Sequence, residues 1–366
     1  MPLPSSLLDV PAYPAAGYAV LADRLKRLLG CSGDLLFVQG EAVVALEAVA
    51  ASLARPGLEA VNVVTSPYGG LFGAWLRRGG ANVVDVVAAP GRPIAVEAVA
   101  ETLAAKKRVD IVAVVHAEAA NGSLNSLSEI ATLAHQRSAI VVVDAVASVG
   151  AHRVAVDADG LDVIVIGPQK GLGGPAGISA VTINADAWRL LEAEGAPVQS
   201  VLSLLDLRDN WLKRGRGVLP GMPSALEFWA LEAALDRVEA EGIDALVARH
   251  AKAALATRAG LRALGQDPWI EANERAAAVV TTVRVPAGMD PKVIVRMTAA
   301  AGASLSPGVG EGAADLVRLD HTGPRAAFAA VLTNITAYGA ALAQAGVAVD
   351  VGAGAAAVAR VYATLG

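Results

Sequence analysis

The sequence predicts an α/β fold: a large domain with a mainly parallel mixed sheet covered by helices, followed by a small C-terminal α/β domain. Two observations carry this. From residue 34 onward short apolar runs alternate with amphipathic stretches of helical length, the pattern of parallel strands joined by crossover helices. Apolar residues make up 54% of the 366 residues, mostly Ala, Val and Leu, which is enough for a sizeable core.

In order, strands are predicted at 35–38, 60–65, 82–87, 110–116, 140–144, 163–166 and 178–183, where β-branched and other apolar residues dominate. Helices are predicted between them at 41–54, 70–79, 95–107 and 126–137. Helix then dominates 185–264, chiefly 224–241 and 243–264. A strand at 277–285, a helix at 291–301, a strand at 315–319 and two final helices follow. The chain therefore divides into an N-terminal segment (1–30), a large ligand-binding domain (31–240) and a small C-terminal domain (241–366). Ligands of parallel sheets sit at the carboxyl ends of strands, where Gly40, Thr65, His116, Asp144 and Gly167 fall.

Composition narrows the function. The formal net charge of −5 leaves no basic footprint for nucleic acid, so an anionic substrate needs a local arginine. The Ala-rich stretch 340–359 is interrupted by Gly, Gln and Asp350 and is too weakly apolar for a membrane span. It is expected to be a packed surface or interface helix. Met1-Pro2-Leu3-Pro4-Ser5-Ser6 lacks the basic and apolar regions of a secretory signal. Cys31 is the only cysteine, which excludes an intrachain disulfide and fits the cytoplasm.

Lys170 stands in Gly167-Pro168-Gln169-Lys170-Gly171-Leu172-Gly173-Gly174, one short strand beyond Asp144. A carboxylate and an amine leaving adjacent buried strands at one sheet edge can hold a pyridine ring by its nitrogen and its aldehyde at once. The carboxylate keeps the ring cationic, so that it accepts electrons when a Cα–H bond breaks. The amine can form a Schiff base. Taken singly, a lysine among Gly and Pro is more often a solvated loop residue, and a strand-end aspartate more often a cap. Their pairing points to vitamin B6 chemistry, with Val146 placed to pack against one ring face.

Asp144-Ala145-Val146-Ala147-Ser148-Val149-Gly150 and Gly167-Pro168-Gln169-Lys170 resemble the class V aminotransferases of fold type I. His116-Ala117-Glu118, Asn121-Gly122 and Val317-Arg318-Leu319-Asp320-His321-Thr322-Gly323 extend the resemblance over most of the chain, from about residue 36 to the last helices. It implies a transaminase with Lys170 and Asp144 as catalytic groups and Arg318 gripping a substrate carboxylate by a bidentate fork. It also implies a homodimer or homotetramer with sites at the subunit interface.

The departures are informative. The family holds a cofactor phosphate on a small Gly/Ser/Thr turn opening the first large-domain helix, as suits an anion at a helix N-terminus. Here the turn reads Gln39-Gly40-Glu41-Ala42, and a carboxylate beside a phosphate dianion is repulsive. Leu219 and Met222 stand where the neighbouring subunit normally adds a Tyr and a Thr. This altered site resembles one branch of the class, which takes unphosphorylated pyridoxamine and pyridoxal as substrates rather than as a fixed cofactor. That likeness implies that Glu41 bonds the 5′-hydroxymethyl group and Tyr68 stacks on the ring. It makes Gln169 a contact of the hydroxymethyl end or a shaper of the turn, and Glu118 a group at or behind the ring site. Glu41 alone reads equally well as an early-turn residue favoured by the helix dipole, and His116 is read as structural.

Val309 replaces a second carboxylate-binding arginine of that branch, Leu8 replaces a tyrosine from the neighbouring subunit, and Ala119 replaces a serine or threonine. The expected reaction moves an amino group from pyridoxamine to a 2-oxo acid, pyruvate first, giving pyridoxal and an L-amino acid through a Lys170 Schiff base. The alternatives are a conventional pyridoxal 5′-phosphate transaminase or lyase of this class, or a non-catalytic pyridoxal-binding protein.

Overall fold

The computed structural model describes residues 9–193, 200–310 and 312–364; Leu8 lies outside them. Helix α1 (Gly17–Leu29) buries Leu21, Leu25 and Leu29 and ends on Gly30, whose left-handed φ of 58° suits glycine. The central sheet follows: β1 (Asp34–Val38), β2 (Glu59–Val64), β3 (Asn82–Val87), β4 (Ile111–Val115), β5 (Ile140–Asp144), β6 (Val163–Ile166) and β7 (Ser179–Ile183). Its order is β1-β7-β6-β5-β4-β2-β3. Strand β7 runs antiparallel to both β1 and β6, and the other pairs are parallel. Every residue of β4, β6 and β7 is buried, as in a sheet covered on both faces, which is why β4 and β6 read as near-continuous Val/Ile runs.

The connections are α2 (Ala42–Leu53), α3 (Pro67–Arg78), α4 (Val96–Ala105) and α5 (Leu127–Gln136). Helix α3 begins three residues before its predicted start. Pro-Tyr-Gly-Gly reads as a turn, but Ser66 Oγ accepts the Tyr68 N–H at 3.2 Å and Pro67 fills the first helical position. Tyr68 is thus fixed on the first turn of a helix. Helices α6 (Ala185–Leu191), α7 (Leu204–Asn210) and α8 (Ala225–Glu241) complete this part.

The long helix α9 (Ile243–Ala263) leads to a second, antiparallel sheet of β8 (Val280–Arg284), β10 (Leu316–Asp320) and β9 (Leu305–Pro307), in the order β8-β10-β9. Helices α10 (Pro291–Ala299), α11 (Phe328–Gln344) and α12 (Val351–Thr364) pack with it. The three-residue edge strand β9 was not predicted. The Ala-rich stretch 340–359 is not one helix: α11 stops at Gln344, Gly346 turns the chain at φ +85°, and α12 starts at Val351. Both halves bury an apolar stripe, including Leu342 and Val358. Among the described residues no helix is long and apolar enough to cross a membrane. One apolar core spans Tyr13 to Leu246 and a second Ala253 to Val358. A small alanine-rich cluster, with Ala117, Ala147, Ala254 and Ala277, lies beside the cleft described next.

Candidate active site

The carboxyl edge of the large sheet borders a cleft of about 440 Å³, lined by Glu41, Tyr68, Glu118, Asp144, Val146 and Lys170. The structure therefore brings together six side chains from five segments that the sequence singled out. Gly40, Gln169 and Arg318 do not line it themselves, and each reaches it through a neighbour.

Asp144 ends β5, and its Oδ1 accepts the Val146 N–H at 3.0 Å. That turn sets Val146, only 9% exposed, on the cleft wall. Burial pushes the Asp144 carboxyl up to about 6; the Val146 N–H opposes this, the charge of Glu41 adds to it, and Lys170 lowers it. Lys170 follows β6 in a loop whose glycines are needed for close approach. A Cβ on Gly167 would come within 2.5 Å of Gln169 Oε1 and 2.7 Å of Val146 Cγ1; one on Gly171 would meet the Val149 carbonyl at 2.4 Å. The Lys170 amine has no hydrogen-bond or ion-pair partner among the described residues.

Glu41 caps α2. Its Oε2 accepts the Val43 N–H at 2.9 Å, and its Oε1 accepts Gln169 Nε2 at 2.6 Å. Glu41 is thus the N-cap of α2, one position before the early-turn place the helix-dipole reading gave it, and its side chain also reaches the cleft. Gly40 accepts the Ser179 hydroxyl at 2.5 Å through its carbonyl. Gln169 Oε1 is buried without a partner.

Glu118 is completely buried. Its Oε1 accepts the Thr65 hydroxyl at 2.5 Å, whereas its Oε2 has no partner. Burial pushes its pKa up to about 7; the hydroxyls of Ser66 and Thr65 oppose this and Asp144 adds to it. Arg318, on β10, reaches across from the small sheet: Nε donates to the Pro307 carbonyl and one terminal nitrogen to the Ala119 carbonyl, both at 2.9 Å. Burial lowers its pKa, with Tyr68 and Asp320 opposing, and it forms no ion pair among the described residues. A half-buried guanidinium with donors to spare and no carboxylate is a natural anion receptor.

Other readings shift. His116 was read as structural, yet its Nδ1 is buried without a partner and burial lowers its pKa to about 4. Leu219 is 4% exposed and belongs to the core of its own chain, instead of being presented to a neighbour; Met222 is 97% exposed. Val309 is 39% exposed, and the next residue, Gly310, lies so close to α3 that a Cβ would meet Pro67 at 2.8 Å. The polar chain behind Glu118 went unnoticed: Asn125 Nδ2 donates to Thr65 Oγ1 at 3.1 Å, and Thr65 in turn to Glu118. The available signal was Thr65 itself, a hydroxyl at the carboxyl end of a parallel strand.

A mixed sheet with a strand-end carboxylate and a loop lysine facing one cleft, with an arginine at its rim, defines a fold type I aminotransferase. The aminotransferase class-V family matches residues 16–336, so the chain belongs to that family and is an aminotransferase, working with vitamin B6. Pyridoxamine–pyruvate transaminase of Mesorhizobium japonicum is 33% identical over 92% of this chain and 86% of its own length. The crystal structure of pyridoxamine–pyruvate aminotransferase from Mesorhizobium loti superposes with a TM-score of 0.90 at 32% identity, covering 95% of this chain and 89% of that one. Ureidoglycine–glyoxylate aminotransferase from Bacillus subtilis shares the fold with a TM-score of 0.89 at 24% identity, over 98% of this chain and 94% of that one.

Proposed function

We propose that the protein transfers the amino group of unphosphorylated pyridoxamine to a 2-oxo acid, pyruvate first, giving pyridoxal and an L-amino acid. The observation that carries this reading is the closed N-terminus of α2, where Glu41 holds the Val43 N–H and the Gln169 amide. A phosphate there would face a carboxylate and lose the helix amide that the family's anion site needs. A hydroxymethyl group instead donates to a remaining lone pair of Glu41. The similarity to the two Mesorhizobium enzymes supports the same substrate pair.

The residues present suit a pyridoxyl ring. Asp144 accepts the ring N–H, Tyr68 and Val146 bracket the two faces, and Arg318 takes the carboxylate of the oxo acid. The bound ring supplies the electron sink and the nitrogen that is transferred. Lys170, free of protein partners, moves a proton between the C4′ and Cα positions as general acid and base. The ring lies in the 31–240 domain, and the 241–366 domain contributes Arg318. In this reading the enzyme is a cytoplasmic homodimer or homotetramer, and exposed Val201, Val218 and Met222 supply apolar contact surface.

The test is incubation of B6-free protein with pyridoxamine and pyruvate, following pyridoxal and alanine together, beside a sample given pyridoxamine phosphate. Turnover with pyridoxamine alone is the expected result. Activity restricted to the phosphate form returns the protein to ordinary class V transamination with pyridoxal 5′-phosphate.

A further inference from the structure

The hydrogen bonds around Glu118 fix which of its oxygens would carry a proton. The Ile94 N–H donates to Asn125 Oδ1 at 2.9 Å, which fixes the orientation of that amide. Asn125 Nδ2 then donates to the Val115 carbonyl at 2.7 Å and to Thr65 Oγ1 at 3.1 Å. Having accepted there, the Thr65 hydroxyl directs its single hydrogen to Glu118 Oε1 at 2.5 Å. Oε1 is therefore an acceptor, and a proton on this acid sits on Oε2, the oxygen with no partner. No cation pairs with Glu118 among the described residues, and Asp144 adds a second carboxylate to the same wall. Two neighbouring buried carboxylates with one ring cation between them favour one ionised and one neutral group. Burial keeps bulk water from satisfying Oε2, and the Ser66 hydroxyl, which lies near Glu118 and accepts the Tyr68 N–H, leaves Oε2 without a hydrogen bond, so the partner left for it is a polar atom of a molecule packed against the wall.

The ring has one polar edge still to place. With its nitrogen on Asp144, its C4′ toward Lys170 and its hydroxymethyl group toward Glu41, the edge bearing the 2-methyl and 3-hydroxyl groups turns to the wall of Val115, Ala117, Glu118 and Ala119. Glu118 is the only one of these with a polar side chain. We infer that Glu118, held as a neutral acid by the Asn125–Thr65 relay, donates Oε2–H to the 3-oxygen of the bound pyridoxyl ring. This rests on the pyridoxyl reading of the cleft and assigns the residue that recognises the ring's phenol.

The experiment compares pyridoxal with the same aldehyde lacking the 3-hydroxyl, by calorimetric titration of wild type, Glu118→Met and Glu118→Gln. Met removes the donor at similar volume, and Gln restores it. Methionine is expected to weaken pyridoxal about 10- to 100-fold, the range for a hydrogen bond to a charged acceptor. It should change the deoxy compound less than about threefold, no more than a weak neutral hydrogen bond, and Gln should recover most of the pyridoxal affinity. Equal loss of both compounds in Glu118→Met, or failure of Gln to rescue, overturns the assignment and leaves Glu118 a structural acid. If wild type binds neither compound, the pyridoxyl reading falls and this inference with it.

Discussion

The cleft and the histidine seam behind it are both buried and polar, but they are finished differently. At the seam every hydrogen-bonding nitrogen of His250 and His321 is used. His250 Nε2 accepts the Gly323 N–H at 2.9 Å while its Nδ1 faces the Leu246 carbonyl; His321 bridges the Ala278 carbonyl and Thr281. His152 Nε2 accepts the Ala278 N–H at 2.9 Å, so one residue of the approach to β8 is held at its N–H and its carbonyl by imidazoles from two parts of the chain. In and beside the cleft, Glu118 Oε2 and Gln169 Oε1 lack partners, and Lys170 and Arg318 form no ion pair among the described residues. An unsatisfied buried polar atom costs about 1–3 kcal/mol; Thr182, Tyr338 and Tyr362 carry such atoms elsewhere in the fold, and beside the cleft a bound molecule can complete them. The seam holds the structure together; the proposed chemistry falls to the cleft.

Substitutions should divide along that line. The largest effect is expected of Lys170→Ala, with turnover down at least about 10³-fold, as for loss of a general acid–base, and little change in melting temperature. Wild-type-like turnover in that variant would remove the mechanism. Arg318→Met comes next. Initial-rate measurements should show KM for the oxo acid up about 100-fold, the range for a charge-assisted contact, while pyridoxamine binding holds. A loss of pyridoxamine affinity instead would move Arg318 from acceptor binding to ring binding.

His152→Leu should show the reverse pattern. It strands the buried Ala278 N–H, so denaturant titration should report a loss of about 1–3 kcal/mol, with kcat for the remaining folded protein nearly unchanged. Glu41→Ala straddles the two regions. Loss of the cap should destabilise by about 1 kcal/mol. Opening the α2 N-terminus should shift the preference from pyridoxamine toward its phosphate by about tenfold, roughly the 1.4 kcal/mol that one anion contact supplies. An unaltered preference would leave Glu41 a cap and nothing more.

How much of this could be read from the chain depends on distance along it. Parallel strands buried on both faces must be Val/Ile runs, so β4, β5 and β6 were visible, and with them the edge where Asp144 and Lys170 meet. Strand β9 is three residues ending in proline and exists only because β10 lies beside it. The start of α3 was hidden because its capping serine precedes what looks like a turn. The Glu41–Gln169 and Thr65–Glu118 bonds join residues far apart in sequence. No local pattern announces a pairing between strands, so the relay that orients Glu118 emerged only in three dimensions.

The smallest effect is the most direct comparison of the two regions, because pH pulls them in opposite directions. Burial lowers His321 to about 4 and His152 to about 3. Their contribution to stability is full above the unfolded histidine value of 6.5 and is lost as pH falls toward those folded values. Burial raises Glu118 to about 7 and Asp144 to about 6. Their contribution is full below the unfolded carboxylate values and is lost as pH rises through the folded ones. Between about pH 4.5 and 6.5 the seam weakens on acidification while the cleft strengthens. Denaturant titrations of ligand-free protein across that window should therefore change slope in opposite senses: Glu118→Gln should steepen the acid-side loss and His321→Gln should flatten it, each by about 1 kcal/mol, one pKa unit's worth. Parallel curves for the two variants would mean that the acids and imidazoles do not hold the protonation states their burial dictates.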